Sequence, residues 1–223
     1  KDKPTSQAFL PFMALCVLAM GFMPAAVDGE DETEILKITV GEPTLLDPSR
    51  PRGEASVAIS RTGTVAAFFA KSGNGAKFYR ISKDAGRTWG PERDFLPEYV
   101  VMSVGLRDGG VLFMTGEAAP VDKMDPPKLQ AKRIVFSDDF LKYEVSTSAV
   151  SIPQAALQTR WGRGFWPNFD AGKILQLDNG DLLATMYGDL QGDTKYRTMI
   201  VRSADNGLTW QFHATVAYDP NDP

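Results

Sequence analysis

The chain has 223 residues, of which 43% are hydrophobic, and it contains 20 glycines and 15 prolines. This length allows one substantial core, and the many glycines and prolines favour an all-β architecture of short strands and turns over long helices. The net charge is −4 and the isoelectric point is about 5.1. Because nucleic acids and anionic membranes are bound by basic surfaces, this charge argues against both as partners.

The N-terminal segment has the pattern of a secretory signal peptide. Two lysines precede an apolar stretch, 8–23, and small residues follow it. We therefore predict a signal peptide over 1–26, cleaved between Ala26 and Glu30, and a secreted or periplasmic protein. A single membrane anchor is the alternative, but the apolar stretch is interrupted by Pro11 and is short for a membrane-spanning helix of about 20 residues.

Residues 27–54 are predicted to be a leader and linker, acidic in their first part. The only cysteine, Cys16, lies in the predicted signal peptide, so the mature chain is expected to hold no disulfide and no cysteine-metal site. No metal motif, phosphate-binding loop or Ser-His-Asp set can be assembled from the sequence, so we expect neither a cofactor nor a metal ion. The sole histidine, His213, falls within a predicted strand and is expected to be structural.

One octapeptide occurs twice, as SKDAGRTW from Ser82 and as SADNGLTW from Ser203. Five positions are identical, and internal repetition of this kind indicates a repeat architecture. Each copy predicts a tight turn between two strands, because the Asp side chain accepts backbone N–H bonds, Gly allows a positive φ and Thr adds a local hydrogen bond. The Trp is predicted to open the next strand and to bury its ring. The residues given this structural role are Ser82, Asp84, Gly86, Thr88, Trp89, Ser203, Asp205, Gly207, Thr209 and Trp210.

Alternating apolar runs and turn residues predict three successive units of four strands each. The units are 55–97 (strands 55–60, 64–70, 77–82 and 88–95), 98–150 (101–106, 111–116, 131–137 and 143–149) and 151–223 (173–177, 181–188, 198–203 and 210–217). The turn from Ser137 to Phe140 keeps the Ser and Asp of the octapeptide but lacks its Gly and Trp. It is predicted to be a degenerate third copy, 55 residues after Ser82 and 66 before Ser203.

The octapeptide resembles the Asp-box of the sialidase (neuraminidase) superfamily, where it closes the hairpin between the third and fourth strands of a propeller blade. The resemblance implies an all-β fold, a β-propeller of sialidase type, with about three four-stranded blades present of an expected six. Three blades alone would leave an open ring, so the sequence is predicted to be part of a longer protein. A small protein that pairs with a second half ring is the alternative. The oligomeric state is not predicted.

In an antiparallel blade, the turns between strands one and two and between strands three and four lie at the same end, here called the lower end. The other loops lie at the opposite, upper end, where propellers usually bind ligands. The octapeptides belong to the lower end, so Asp84, Asp139 and Asp205 are excluded as catalytic acids.

Arg52, at the upper end before the first strand, is the first candidate ligand. By the resemblance it would be one of three arginines that hold a substrate carboxylate, since a guanidinium offers two parallel donors. A solvated arginine is the alternative. The loop 71–76 is where the resemblance expects a catalytic Asp, yet it contains no carboxylate. The loop 117–130 is expected to be a stiff surface loop or one wall of a cleft.

The segment 159–167 combines three aromatic residues with two arginines. Trp161 and Trp166 are predicted to stack on sugar rings and Arg163 to bind hydroxyl or carboxylate groups; packing between blades is the alternative role for the tryptophans. In the loop after the second strand of the third blade, Asp189 is predicted to be the general acid, because burial beside Trp166 would raise a carboxyl pKa. Arg197 is predicted to bind substrate or to pair with a nearby acid.

These residues lead to two functional hypotheses. The first is a secreted sialidase-like glycoside hydrolase, whose Tyr nucleophile and Glu partner the resemblance assigns to later blades. The second is a non-catalytic propeller that binds glycans or a protein, which the missing acid in loop 71–76 favours. A carbohydrate is the expected substrate or ligand in the first hypothesis.

Overall fold

The computed structural model describes residues 55–70, 76–95, 102–121, 128–153, 167–169 and 173–220. The predicted signal peptide and the predicted leader and linker lie outside these residues. The chain divides into two units, Lys1–Thr44 and Leu45–Pro223, and every described residue belongs to the second unit.

The described residues form strands and turns without a helix, so this part of the chain holds no helix able to cross a membrane. The strands are β1 Ala55–Ile59, β2 Val65–Ala70, β3 Ala76–Ser82, β4 Arg93–Asp94, β5 Met102–Gly105, β6 Val111–Pro120, β7 Leu129–Phe136, β8 Tyr143–Ser151, β9 Ile174–Gln176, β10 Leu182–Gly188, β11 Arg197–Ser203 and β12 Thr209–Ala217.

Each group of four consecutive strands is an antiparallel meander, with neighbours in the chain paired in space. Strands β1–β4, β5–β8 and β9–β12 are blades 1, 2 and 3. This confirms the predicted all-β fold with three four-stranded propeller blades. Most strand ends lie within two residues of the predicted ends, because the turns that separate the strands are set by local Gly, Asp and Asn residues.

Blades 2 and 3 are joined at their outer strands, which the sequence did not predict. The end of β8 pairs in parallel with the start of β12, at Ala149–Thr209, Val150–Trp210 and Ser151–Gln211. Blades 2 and 3 therefore form one eight-stranded sheet, while blade 1 forms a sheet of its own.

Two predicted elements were wrong in extent. The fourth strand of blade 1, predicted over 88–95, is limited to Arg93–Asp94. Gly90 donates its N–H to the carbonyl of Ile81 at 2.8 Å outside the strand ladder, and Pro91 has no N–H to donate, so Trp89 lies outside the strand. Both ends of the predicted loop 117–130 are instead strand: β6 continues to Pro120 and pairs again with β7, which begins at Leu129, after a register shift between Thr115 and Ala119.

The core consists of two apolar clusters, one between each pair of neighbouring blades. The cluster between blades 1 and 2 is aromatic and includes Phe68, Tyr79, Phe95, Phe113, Phe136 and Phe140. The cluster between blades 2 and 3 is mostly aliphatic, with Met102, Leu112, Met114, Leu182, Met186 and Trp210 among its members.

The middle blade is apolar on both faces, and strand β6 shows why. Val111 and Phe113 belong to the cluster shared with blade 1, whereas Leu112 and Met114 belong to the cluster shared with blade 3. Successive side chains of a strand point to opposite faces, so a strand buried on both faces needs a continuous apolar run. The sequence Val-Leu-Phe-Met is that run.

Candidate functional site

The lower end of the blades is made of turns that satisfy their own polar groups. Asp84 accepts hydrogen bonds from Ser82 Oγ at 2.7 Å and from Thr88 N–H at 2.8 Å through Oδ1, and from Thr88 Oγ1 through Oδ2. Asp205 makes the same three contacts with Ser203 and Thr209, at 2.8, 2.8 and 2.6 Å.

These contacts keep both octapeptide carboxyls ionised. Hydrogen bonds from Thr88, and then from Ser82, lower the pKa of Asp84 to about 2. Burial alone would raise the pKa of Asp205, but its bonds from Thr209 and Ser203 outweigh burial and lower it. An acid that donates a proton near neutral pH needs the opposite shift. The geometry therefore agrees with a structural role at the lower end.

The degenerate turn of blade 2 keeps half of this arrangement. Ser137 Oγ donates to Asp139 Oδ1 at 2.6 Å, and Leu141 N–H donates to the same oxygen at 3.0 Å. Phe140 has a φ of 57° and is fully buried in the aromatic cluster. Its carbonyl accepts the Tyr79 hydroxyl of blade 1 at 3.0 Å. Phe140 thus supplies a buried ring in a turn that has lost its Trp, and it keeps the left-handed backbone that Ala85 and Asn206 have at the same position of the octapeptides.

The upper end of blade 3 holds Asp189, the first residue after β10, with a side chain only 3% exposed. The preceding residue, Gly188, packs against Pro167: a Cβ there would lie 2.7 Å from Pro167 Cα. Asn168 and Tyr187 then exchange two backbone hydrogen bonds: Asn168 N–H donates to Tyr187 O at 2.8 Å, and Tyr187 N–H donates to Asn168 O at 3.0 Å. Gly188 therefore lets the segment 167–169 close onto β10 beside the predicted acid.

The loop 190–196 is held by an ion pair between Asp193 and Arg197. Arg197 donates from Nη2 to Asp193 Oδ1 at 2.7 Å and from Nε to Oδ2 at 3.0 Å, and Asp193 Oδ2 also accepts the N–H of Leu190 at 3.0 Å. Burial would raise the pKa of Asp193, but the bonds from Arg197 and Leu190 lower it below its ordinary value. The bond to Asp193 raises the pKa of Arg197.

Of the residues predicted to bind substrate, only Arg197 lies in the described part of the chain. Arg52, Trp161, Arg163 and Trp166 lie outside it, as does most of loop 71–76. The guanidinium of Arg197 binds Asp193 and donates from Nη1 to Thr215 Oγ1 at 3.0 Å. Its central carbon lies 4.0 Å from the centre of the Tyr218 ring. Of the two roles predicted for Arg197, the structure shows the pairing with an acid.

Tyr196 is an upper-end residue that the sequence analysis did not single out. Its side chain is 37% exposed, and its ring meets that of Tyr187 edge to face, with centroids 5.8 Å apart and planes at 74°. An aromatic residue inside an upper-end loop was the available indication.

Two clefts among the described residues lie away from Asp189. One, of about 530 Å³, is bounded by the start of β7 and by the β8–β12 junction, with Leu129, Val150 and Trp210 in its lining. The other, of about 370 Å³, lies by the first octapeptide and includes Lys83 and Arg93. Among the described side chains, no group of three or more His, Cys, Asp or Glu residues is arranged to hold a metal ion.

No family model matches the chain, and no curated protein matches it by sequence. Among solved structures, it is similar to a protein of unknown function from Dyadobacter fermentans, with 18% identity and a TM-score of 0.50 over 78% of this chain and 54% of that one. It also aligns with a Hadza microbial sialidase (16% identity, TM-score 0.49, 73% of this chain and 37% of that one). An endo-arabinase from Bacteroides thetaiotaomicron aligns similarly (16% identity, TM-score 0.48, 74% of this chain and 62% of that one).

The chain spans less than two thirds of the length of each of these three structures. At 18% identity, the similarity to the Dyadobacter protein shows a related fold and nothing about activity. Any function of this chain has to be argued from its own residues.

Proposed function

We propose that this chain is part of a carbohydrate-active propeller, and specifically of a sialidase-like glycoside hydrolase whose site lies at the upper end of the blades. The observation that carries the proposal is the position of Asp189. Asp189 is 3% exposed and directly follows β10 at the upper end of blade 3. General acid catalysis of glycoside cleavage uses a carboxyl group that is shielded from water and within reach of the glycosidic oxygen.

Aromatic side chains at the same end support a sugar ligand. Tyr196 presents an exposed part of its ring seven residues after Asp189. Sugar rings bind aromatic faces through their C–H groups, and the predicted platforms Trp161 and Trp166 would add to such a surface. Arg52 and Arg163 are proposed to hold hydroxyl or carboxylate groups of the glycan.

The test is turnover of a panel of fluorogenic glycosides, which includes sialosides and arabinosides, by the protein and by Asp189→Asn. The substitution keeps the size of the side chain and removes its acid function. We expect the rate on the accepted glycoside to fall by about 10²–10⁴-fold, the usual contribution of a general acid. Asp181→Asn is the control, because Asp181 is a lower-end carboxylate paired with Arg202. Equal activity of Asp189→Asn and the unmodified protein on a cleaved glycoside would refute the role of Asp189.

A non-catalytic propeller that binds glycans or a protein is the second candidate. The sequence of loop 71–76, Lys-Ser-Gly-Asn-Gly-Ala, favours it, because this upper-end loop of blade 1 offers no carboxylate for catalysis. Binding to a glycan array without turnover of any glycoside in the panel would support this candidate over the hydrolase.

We also propose that residues 1–26 direct export to a secreted or periplasmic location. The support is the sequence pattern of a charged start, an apolar stretch and small residues before Glu30. Expression of a chain that includes residues 1–26, followed by N-terminal sequencing of the exported protein, should place the new terminus between Ala26 and Glu30. Retention of Lys1 on an exported, membrane-bound protein would favour the anchor instead.

A further inference from the structure

The loop that follows Asp189 is tied down by one carboxylate. Asp193 accepts two hydrogen bonds from Arg197 and one from the backbone N–H of Leu190, the residue next to Asp189. The side chain of Asp193 is 6% exposed and that of Arg197 is 18% exposed, so the pair is mostly shielded from water. A bidentate guanidinium–carboxylate pair of this kind fixes both distance and orientation.

A second layer of contacts connects this pair to the outer strand of blade 3. Arg197 Nη1 donates to Thr215 Oγ1 of β12 at 3.0 Å, and the guanidinium carbon lies 4.0 Å from the centre of the Tyr218 ring. The Tyr218 hydroxyl accepts the N–H of Thr194 at 3.2 Å. The upper-end loop is thereby held at Leu190 by Asp193, which Arg197 of β11 fixes in place. It is held at Thr194 by Tyr218, which follows β12.

We propose that Arg197 is a positioning residue that acts through Asp193 on the backbone beside Asp189, and that it is not a ligand of the substrate. The clamp consists of Asp193, Arg197, Thr215 and Tyr218. Its effect on turnover rests on the proposed function of Asp189, whereas its effect on the loop does not.

The arrangement explains why an arginine is needed at this position. All three of its guanidinium nitrogen atoms donate, two to one carboxylate and one to a hydroxyl. A lysine carries a point charge on a flexible stem and cannot reproduce two parallel bonds. We therefore expect Arg197→Lys to restore part of the constraint and Arg197→Gln to lose it.

The first experiment measures amide hydrogen exchange in the peptide 189–197 of the full chain. Hydrogen bonds to a charged group stabilise by an amount that corresponds to about 10- to 100-fold in an opening equilibrium. We expect exchange at Leu190 and Thr194 to accelerate by about that factor in Arg197→Gln, less in Arg197→Lys, and also in Asp193→Asn. Arg202→Gln is the matched control: it breaks the Arg202–Asp181 pair at the other end of the same strand. Unchanged exchange in both Arg197→Gln and Asp193→Asn would overturn the proposal.

The second experiment separates positioning from substrate binding by kcat and KM on the accepted glycoside. Misplacement of a reacting group by about 1 Å costs on the order of 100-fold in rate. We expect Arg197→Gln to lower kcat with little change in KM, and the double variant with Asp189→Asn to be no slower than Asp189→Asn alone. A raised KM with unchanged kcat and unchanged exchange would make Arg197 a substrate ligand and refute the inference. Absence of turnover by the unmodified protein would remove the proposed hydrolase, and hydrogen exchange would still decide the clamp.

Discussion

Gly86 and Gly207 occupy the same position in the two octapeptides, yet they are predicted to respond differently to alanine. Both have a positive φ, 86° and 80°, so alanine is strained at either site. At Gly86, an added Cβ would meet only Trp89 Cζ2, at 3.6 Å, which is an ordinary contact. At Gly207 it would lie 2.8 Å from Leu112 Cδ2 and 3.4 Å from Trp210 Cζ2.

The cost of the strained backbone and the cost of overpacking can be given separately. A left-handed backbone costs an alanine about 1–2 kcal/mol, of which about 0.4–1 kcal/mol is recovered because alanine restricts the unfolded chain. Gly86→Ala should therefore lose about 1 kcal/mol of unfolding free energy. Leu112 and Trp210 are fully buried and cannot move aside freely, so overpacking adds about 1–3 kcal/mol at Gly207. We expect Gly207→Ala to lose about 2–4 kcal/mol.

Urea unfolding followed by far-UV circular dichroism and by tryptophan fluorescence measures both losses, provided that the two transitions coincide. Gly180→Ala is the control for backbone strain alone, since φ is 94° and an added Cβ meets nothing within 4 Å. The reasoning fails if Gly86→Ala is as destabilising as Gly207→Ala, because the packing against Leu112 would then have no measurable cost.

Two further predictions concern the lower end and the core. Because the pKa of Asp84 is lowered from 3.8 to about 2, the contribution of Asp84 to stability is present above about pH 4 and is lost as the pH falls toward 2. In urea titrations, Asp84→Asn should make this acid-induced loss of stability smaller. An unchanged pH dependence of the unfolding free energy would contradict the assignment. Phe68 is 1% exposed, with ring centroids 4.9 Å from Phe113 and 5.3 Å from Tyr79, so Phe68→Ala should lose about 3–5 kcal/mol of unfolding free energy. Val57→Ala, on a side chain 60% exposed, should change it by less than about 0.5 kcal/mol, and similar losses for both variants would contradict the assigned core.

The strand order within each blade and the blade count were predictable because they depend on short-range chemistry. Turn residues at 61–63, 107–110 and 178–180 separate apolar runs of strand length, and the paired strands follow those runs closely. The octapeptides encode their turns through contacts between residues at most four positions apart. Such contacts form in the same way wherever the segment occurs.

The candidate site was only partly predictable for the opposite reason. Asp189 was identified from its place in an upper-end loop, but its burial depends on how neighbouring segments pack around β10. The pair of Asp193 and Arg197 joins residues four positions apart, whereas its links to Thr215 and Tyr218 join positions up to 21 residues away. No local pattern distinguishes an arginine that meets such partners from one that faces solvent.

The sequence by itself determined the turns, the alternation of the strands and the four-strand repeat, since each depends on residues close together in the chain. The tertiary structure decided how deeply each copy of the octapeptide is buried. Trp210 is fully buried between blades 2 and 3, whereas Trp89 is half-buried and lies outside β4. The same octapeptide therefore has two environments, because the burial of a side chain is set by the neighbouring blade that packs against it.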